Sequence, residues 1–176
     1  MTSPSPEARA RRIRLAAFDV DGVLTDGTVW LDDAGQESKG FSILDGLGLK
    51  MLAGSGVLLG IITGRRSRTV ELRAAELGIA LLRQGVENKL AAFAELLAEV
   101  GLDPAEASYM GDDLPDLPVL RRCGLAISVP GAPDLVRSHA HVVTAASGGR
   151  GAVREACEYI LRAQGRLEAA QAAFLA

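Results

Sequence analysis

Apolar residues in this chain fall into short, dense runs separated by longer stretches where they recur every three or four positions. The runs 13–18, 57–62, 107–110 and 125–128 are small, branched and almost uninterrupted, the pattern of strands buried on both faces of a parallel sheet. Shorter runs near 80–82 and 141–144 read as further strands. Between them the spacing turns helical and predicts helices over 46–54, 67–77, 88–100, 114–122, 133–138 and 151–164. Such alternation implies right-handed crossovers and an α/β fold, a three-layer doubly wound sheet that is mostly parallel. One segment, 27–41, breaks the pattern. There Thr28-Val29-Trp30-Leu31 and Glu37-Ser38-Lys39-Gly40-Phe41 flank Asp32-Asp33-Ala34-Gly35, which reads as a β-hairpin. About fifteen residues cannot build a core of their own, so Val29 and Leu31, with Trp30 on the opposite face, need another surface. The boundaries are a disordered arm over 1–12, a single domain over 13–166 that carries the hairpin, and a flexible tail over 167–176.

Composition narrows the class. A chain of 176 residues suits one domain, long enough to bury about 70% of its unfolded surface. Aromatic residues make up only 4%, so Leu, Val, Ile and Ala must form the core. A net charge of −3 argues against nucleic acid and anionic membranes as partners. The cluster Arg9, Arg11, Arg12 and Arg14 reads as part of a solvated arm. No secretory h-region and no run of membrane-spanning length is present, which points to the cytoplasm. Cys123 and Cys157 lack metal or redox spacing and read as buried free thiols. His139 and His141 would share one face of a short strand as packed or exposed imidazoles rather than metal ligands.

Candidate chemistry sits where the apolar runs end. Asp19 and Asp21, in Asp19-Val20-Asp21-Gly22, follow the first run, and ionised groups at the exit of a buried strand are expensive unless a cation or donors compensate them. In open α/β sheets ligands bind beyond the carboxyl ends of the strands, and Mg²⁺ favours such oxygen donors. An Asx-type turn would use the same residues. Ile62-Thr63-Gly64-Arg65 closes the second run with groups suited to phosphate, or with a helix cap and turn. Lys89 opens the helical stretch 88–100, a place where a lysine can simply be solvated. Met110-Gly111-Asp112-Asp113-Leu114-Pro115-Asp116 repeats the theme of a strand ending in carboxylates, one of which could cap the following helix.

Taken in order, the Asp pair, Thr-Gly, Lys and Gly-Asp-Asp resemble the motifs of the haloacid dehalogenase superfamily. Within it, Asp19 to Gly27, Phe41 to Gly48, Ile62 to Arg65, Gly111 to Pro118 and Gly148 to Glu155 are similar to the 3-deoxy-D-manno-octulosonate 8-phosphate phosphatase family, over roughly residues 15–166. The resemblance implies a Rossmann-like fold with a hairpin in place of a cap domain, and hydrolysis of that sugar phosphate in lipopolysaccharide precursor synthesis. It implies Asp19 as nucleophile, Asp21 as acid/base, Thr63 and Lys89 on the phosphoryl group, and Mg²⁺ held by Asp19, the Asp21 carbonyl and Asp112. Asp113 and Asp116 would orient these groups. Phe41, Ser42, Ile43, Leu44, Asp45, Gly64, Arg65 and Arg73 would line the sugar-phosphate site, although some members carry Arg where this chain has Leu44. Four hairpins would close a homotetramer, the implied assembly, and one subunit's tail would reach a neighbour's site. A phosphatase of a sialic acid 9-phosphate type and a non-catalytic oligomerisation module are the alternative readings.

Overall fold

The computed structural model describes residues 4–175. In chain order its first half comprises α1 (Pro6–Ala10), β1 (Leu15–Phe18), β2 (Trp30–Leu31), β3 (Glu37–Ser38), α2 (Ile43–Gly54), β4 (Leu58–Thr63), α3 (Arg68–Glu76) and β5 (Leu81–Gln84). The second half comprises α4 (Lys89–Val100), β6 (Ala107–Met110), α5 (Leu117–Leu120), β7 (Leu125–Ser128), α6 (Asp134–Arg137), β8 (Val142–Val143), α7 (Ala152–Ala163) and α8 (Leu167–Ala172).

Six strands form one sheet in the order β5-β4-β1-β6-β7-β8, and every neighbouring pair is parallel. Renumbered by sequence, this is the doubly wound order 3-2-1-4-5-6, whose direction reverses at the first strand. Register matters for the site, because Phe18 pairs with Ile61 on one side and with Met110 on the other. The carboxyl ends of β1 and β6 therefore come out level, and β4 continues past Ile61 to Thr63 beside them. Right-handed crossovers place α2 and α3 on one face, joined by α1 and α7, and α4, α5 and α6 on the other.

β1, β6 and β7 are buried throughout, as expected for central strands covered on both faces. Phe18, Leu49, Leu52, Ile61 and Ile62 are almost fully buried among them, and each contributes on the order of 1.5–3 kcal/mol by leaving water. On the other face Phe93 of α4 meets Tyr109 of β6 edge to face, with ring centroids 6.1 Å apart. Cys123 and Cys157 are free and buried, and burial pushes both thiols up, Cys123 to about 12. Among the described residues no helix is long and apolar enough to cross a membrane.

Several elements differ from the sequence reading. The arm over 1–12 contains α1, because Ser5 caps it and Ala10 is fully buried against the domain; residues 1–3 lie outside the described residues. The tail over 167–176 begins as α8, with Leu167 and Ala170 packed on the core, and residue 176 lies outside the described residues. The helix expected over 114–122 is divided into a 3₁₀ turn, Leu114–Asp116, and α5, since Pro115 and Pro118 interrupt the hydrogen-bond ladder. α2 starts at Ile43, earlier than expected, because Ser42 accepts from Asp45 N and caps it. The hairpin forms with short antiparallel strands, and Trp30 and Leu31 remain 68% and 66% exposed. Neither His139 nor His141 is in a strand; His141 Nδ1 accepts from Ala126 N at 2.9 Å.

Candidate active site

The loop after β1 is shaped by two close approaches. Asp19 N still donates to Met110 O at 2.9 Å, which extends the sheet by one residue. The chain then turns, with Asp21 at φ −76, ψ 116 and Gly22 at φ 89, ψ −8, a type II geometry that favours glycine in the third place. Gly22 also lies against the second acidic loop, where a Cβ would fall 2.0 Å from Asp112 Oδ2. From the far side the loop is braced by the stretch before α7. Gly149 N donates to Val23 O at 2.9 Å, and a Cβ on Gly148 would fall 1.8 Å from Gly22 O. The glycines ahead of α7 thus let two backbones touch, a role beyond a simple turn.

Asp116 organises the charged centre. Its Oδ1 accepts from Lys89 Nζ and from the Tyr109 hydroxyl, both at 2.7 Å, and its Oδ2 accepts from Asp112 N and Asp113 N, both at 3.1 Å. With both oxygens doubly engaged, Asp116 holds other groups in place, even though its carboxylate lies within a few ångströms of Asp19 and Asp112. Lys89 Nζ also reaches Asp19 Oδ1 at 3.0 Å. Burial works against the Lys89 charge, but Asp19 and Asp116 outweigh it and raise its pKa.

The carboxylates themselves are short of positive charge. Burial, and then the charge of Asp116, pushes Asp19 up to about 6 despite Lys89. Burial, followed by Asp19 and Asp116, pushes Asp112 up to about 7. Asp112 Oδ1 is buried without a hydrogen-bond partner. A buried, unpartnered oxygen carries a desolvation penalty, and a pair of hard carboxylates relieved by a divalent cation such as Mg²⁺ fits this observation.

Asp19, Asp21, Thr63, Gly64, Arg65, Lys89, Asp112 and Asp113 line one cleft of about 480 Å³ at the carboxyl ends of β1, β4 and β6. Thr63, the last residue of β4, is buried at its base. Asp113 is exposed and its Oδ1 accepts from Leu114 N at 2.7 Å, so it caps the 3₁₀ turn. A larger hollow of about 640 Å³ between α2 and α8 is mainly apolar and distant from these groups.

The expected sugar-contact residues divide. Phe41, Ser42 and Leu44 border a neighbouring hollow with Asp26, Gly149 and Arg150, and Ile43 is 84% exposed at the start of α2. Arg73 is packed rather than solvated, its guanidinium 5.8 Å from the Phe41 ring centroid and its Nη2 donating to Ser42 O at 3.1 Å. Asp45 does not face the cleft. It is 2% exposed, and its carboxylate accepts from Arg154 N at 2.8 Å and Gly151 N at 3.3 Å, satisfying free amides at the start of α7. Other participants went unrecognised in the sequence: Tyr109 on Asp116, and Glu37 and Lys39 beside Asp21. Their one available signal was the i, i+2 spacing of Glu37 and Lys39, which places two opposite charges on one side of a strand.

Known proteins are similar to this chain in sequence and in fold. A family model described as haloacid dehalogenase-like hydrolase matches residues 79–155. The curated 3-deoxy-D-manno-octulosonate 8-phosphate phosphatase of Salmonella typhimurium is 45% identical over 96% of this chain and 90% of its own length. The crystal structure of the Moraxella catarrhalis phosphatase of that name, in complex with magnesium ion, phosphate ion and KDO, superposes with a TM-score of 0.94 at 45% identity, covering 96% of this chain and 97% of that one. The Yersinia pestis phosphatase structure gives a TM-score of 0.91 at 47% identity over 92% and 88% of the two chains. On this identity over nearly its whole length, the chain belongs to the 3-deoxy-D-manno-octulosonate 8-phosphate phosphatase family of haloacid dehalogenase-like hydrolases.

Proposed function

We propose that this protein hydrolyses 3-deoxy-D-manno-octulosonate 8-phosphate to the free sugar acid and phosphate, with Mg²⁺ as cofactor, in the cytoplasmic supply of this sugar to lipopolysaccharide. The observation that carries the reading is the cleft itself: Asp19, Asp21, Thr63, Lys89 and Asp112 converge on one space at the reversal of strand order.

In this reading an Asp19 oxygen attacks phosphorus as the bond to the sugar oxygen breaks, giving an aspartyl-phosphate. Asp21 supplies a proton to the departing sugar oxygen. It then takes one from water, whose oxygen bonds to phosphorus while the Asp19–phosphorus bond breaks. Lys89, already 3.0 Å from Asp19, offsets the repulsion between the carboxylate and an incoming dianion. Thr63 donates to a phosphoryl oxygen. Asp19 and Asp112, with the Asp21 carbonyl, would hold Mg²⁺, which supplies Lewis-acid polarisation and charge neutralisation. Gly64 and Arg65 would bound the phosphate end of the substrate, and Phe41, Ser42, Ile43 and Leu44 its sugar end; Arg73 supports Phe41 from behind. The exposed Trp30 and Leu31 support assembly through the hairpins into a homotetramer.

The test is phosphate release from a panel of 8- and 9-phosphorylated ulosonates with Mg²⁺. The highest kcat/KM is expected for 3-deoxy-D-manno-octulosonate 8-phosphate. A preference for a 9-phosphate would overturn the substrate, and failure to cleave any phosphomonoester would overturn the activity.

A further inference from the structure

A buried cation stands behind Asp21, and the strand-end motifs do not account for it. The Lys39 side chain is 0% exposed, although it comes from the base of the hairpin rather than from the sheet. Its ammonium donates to Asp21 Oδ1 and lies 3.7 Å from Glu37 Oε1. Glu37 is held in turn by Arg65, whose Nη2 donates to Glu37 Oε2 at 2.8 Å and which borders the cleft. Glu37 Oε1 is itself buried, and the Ser67 side chain, Arg65 and then the Lys39 ammonium together hold the Glu37 carboxyl below the usual carboxylate range. An ammonium sealed from water is costly unless carboxylates surround it, which sets this pairing apart from a surface ion pair.

An ammonium has three donors and no acceptor. While Lys39 donates to Asp21 Oδ1, that oxygen is committed as an acceptor, and Oδ2 is left as the oxygen able to carry a transferable proton. The Asp21 side chain is 23% exposed and borders the cleft.

We propose that Lys39, buttressed by Glu37, is a positioning residue that orients the Asp21 carboxylate so that Oδ2 exchanges the proton with the leaving group and with water. The proposal deepens the phosphatase reading above and rests on it. In the first step the phosphorus–sugar oxygen bond breaks, the Asp19–phosphorus bond forms, and the Oδ2 proton passes to the sugar oxygen. In the second, water gives a proton to Oδ2 as its oxygen bonds to phosphorus and Asp19 is released. Lys39 keeps its protons throughout. The hairpin, through Lys39, thereby becomes part of the proton-transfer geometry.

Two substrates separate this role from others. The sugar oxygen is a poor leaving group that needs a well-placed proton, whereas 4-nitrophenolate departs with little help, and kcat/KM reports only steps through the first bond cleavage. For Lys39→Met, kcat/KM for the sugar phosphate should fall roughly 10–100-fold and that for 4-nitrophenyl phosphate less than about threefold. The Ki for inorganic phosphate should stay constant, Lys39→Arg should recover part of the loss, and Glu37→Gln should show the same asymmetry in weaker form. Equal losses on both substrates would overturn the proposal in favour of a structural role. A raised KM and phosphate Ki with kcat intact would overturn it in favour of direct substrate binding. If Lys39→Met does not fold, the same comparison on Glu37→Gln and Lys39→Arg decides. A wild-type protein inactive on both substrates would defeat the phosphatase reading itself, whereas an active one with symmetric variants would defeat only the role of Lys39.

Discussion

Removing one charge from the acidic pair should have opposite effects with and without a divalent cation, and Asp112→Asn does this with little change of shape. In the cation-free protein the Asp112 carboxyl is pushed from 3.8 to about 7 by burial and by Asp19 and Asp116. A carboxyl that ionises less readily when folded costs nothing at pH values where both states are protonated. It withdraws stability as the pH rises from about 4 to about 7, and the loss is complete above that range. At about 1.4 kcal/mol per tenfold change in proton affinity, the interval corresponds to about 4 kcal/mol. Asp19 is raised for overlapping reasons, so the two penalties are shared, and the relief from one substitution is on the order of 2–4 kcal/mol. For a chain of this size that is a rise in Tm of roughly 5–15 °C. Calorimetric unfolding in chelator should therefore show the variant more stable than wild type at about pH 8 and indistinguishable from it near about pH 4. With saturating Mg²⁺ the order should reverse, because wild type gains binding energy that the variant has lost. A variant less stable than wild type in chelator at neutral pH, or a gain that does not depend on pH, would refute the reasoning.

The remaining predictions address the same centre from other sides. Asp19→Asn should abolish turnover, and Asp21→Asn should leave trace activity in a folded protein, losing about 10²–10⁴-fold as expected for a general acid/base; near-normal hydrolysis by Asp19→Asn would exclude covalent catalysis. Gly148→Ala should lower kcat by about 10²-fold, because its Cβ would fall 1.8 Å from Gly22 O and must displace the loop that carries Asp21; unaltered kinetics would show that the brace is dispensable. If the hairpins assemble as proposed, light scattering should give a mass near four chains for the wild type and a smaller one once Trp30 and Leu31 are replaced with charged residues; a monomeric wild type, or a mass unchanged by the substitutions, would remove the hairpin from an interface.

How much could be read from the linear chain follows from the range of the forces involved. β1, β4, β6 and β7 were legible because a strand covered on both faces must be apolar at every position, a local property of four to six residues. Asp19, Thr63 and Asp112 were legible as candidates because polar groups at such strand exits are costly without a purpose, and Lys89 only because the order of all four resembles a known set of motifs. Even the hairpin announced itself through its turn residues.

What only the tertiary structure decided is which polar group answers which. Asp45 is expected with Phe41 to Leu44 to line the sugar-phosphate site, yet it serves the amide of Arg154, 109 residues away. Asp116 is expected to orient its neighbours, and only the closed chain shows which donors it answers: Lys89, Tyr109 and the backbone amides of Asp112 and Asp113. Lys39 reads as an ordinary charged residue on a short strand, and it becomes significant only because the hairpin folds back to seal it against Asp21. The charges of residues 1–12 read locally as a solvated arm, whereas the burial of Ala10 in α1 depends on a surface built by distant residues. Periodicity encodes that a face will be covered, since hydrophobic burial is non-directional; hydrogen bonds and ion pairs are directional and short in range, so their partners exist only once the chain has closed on itself.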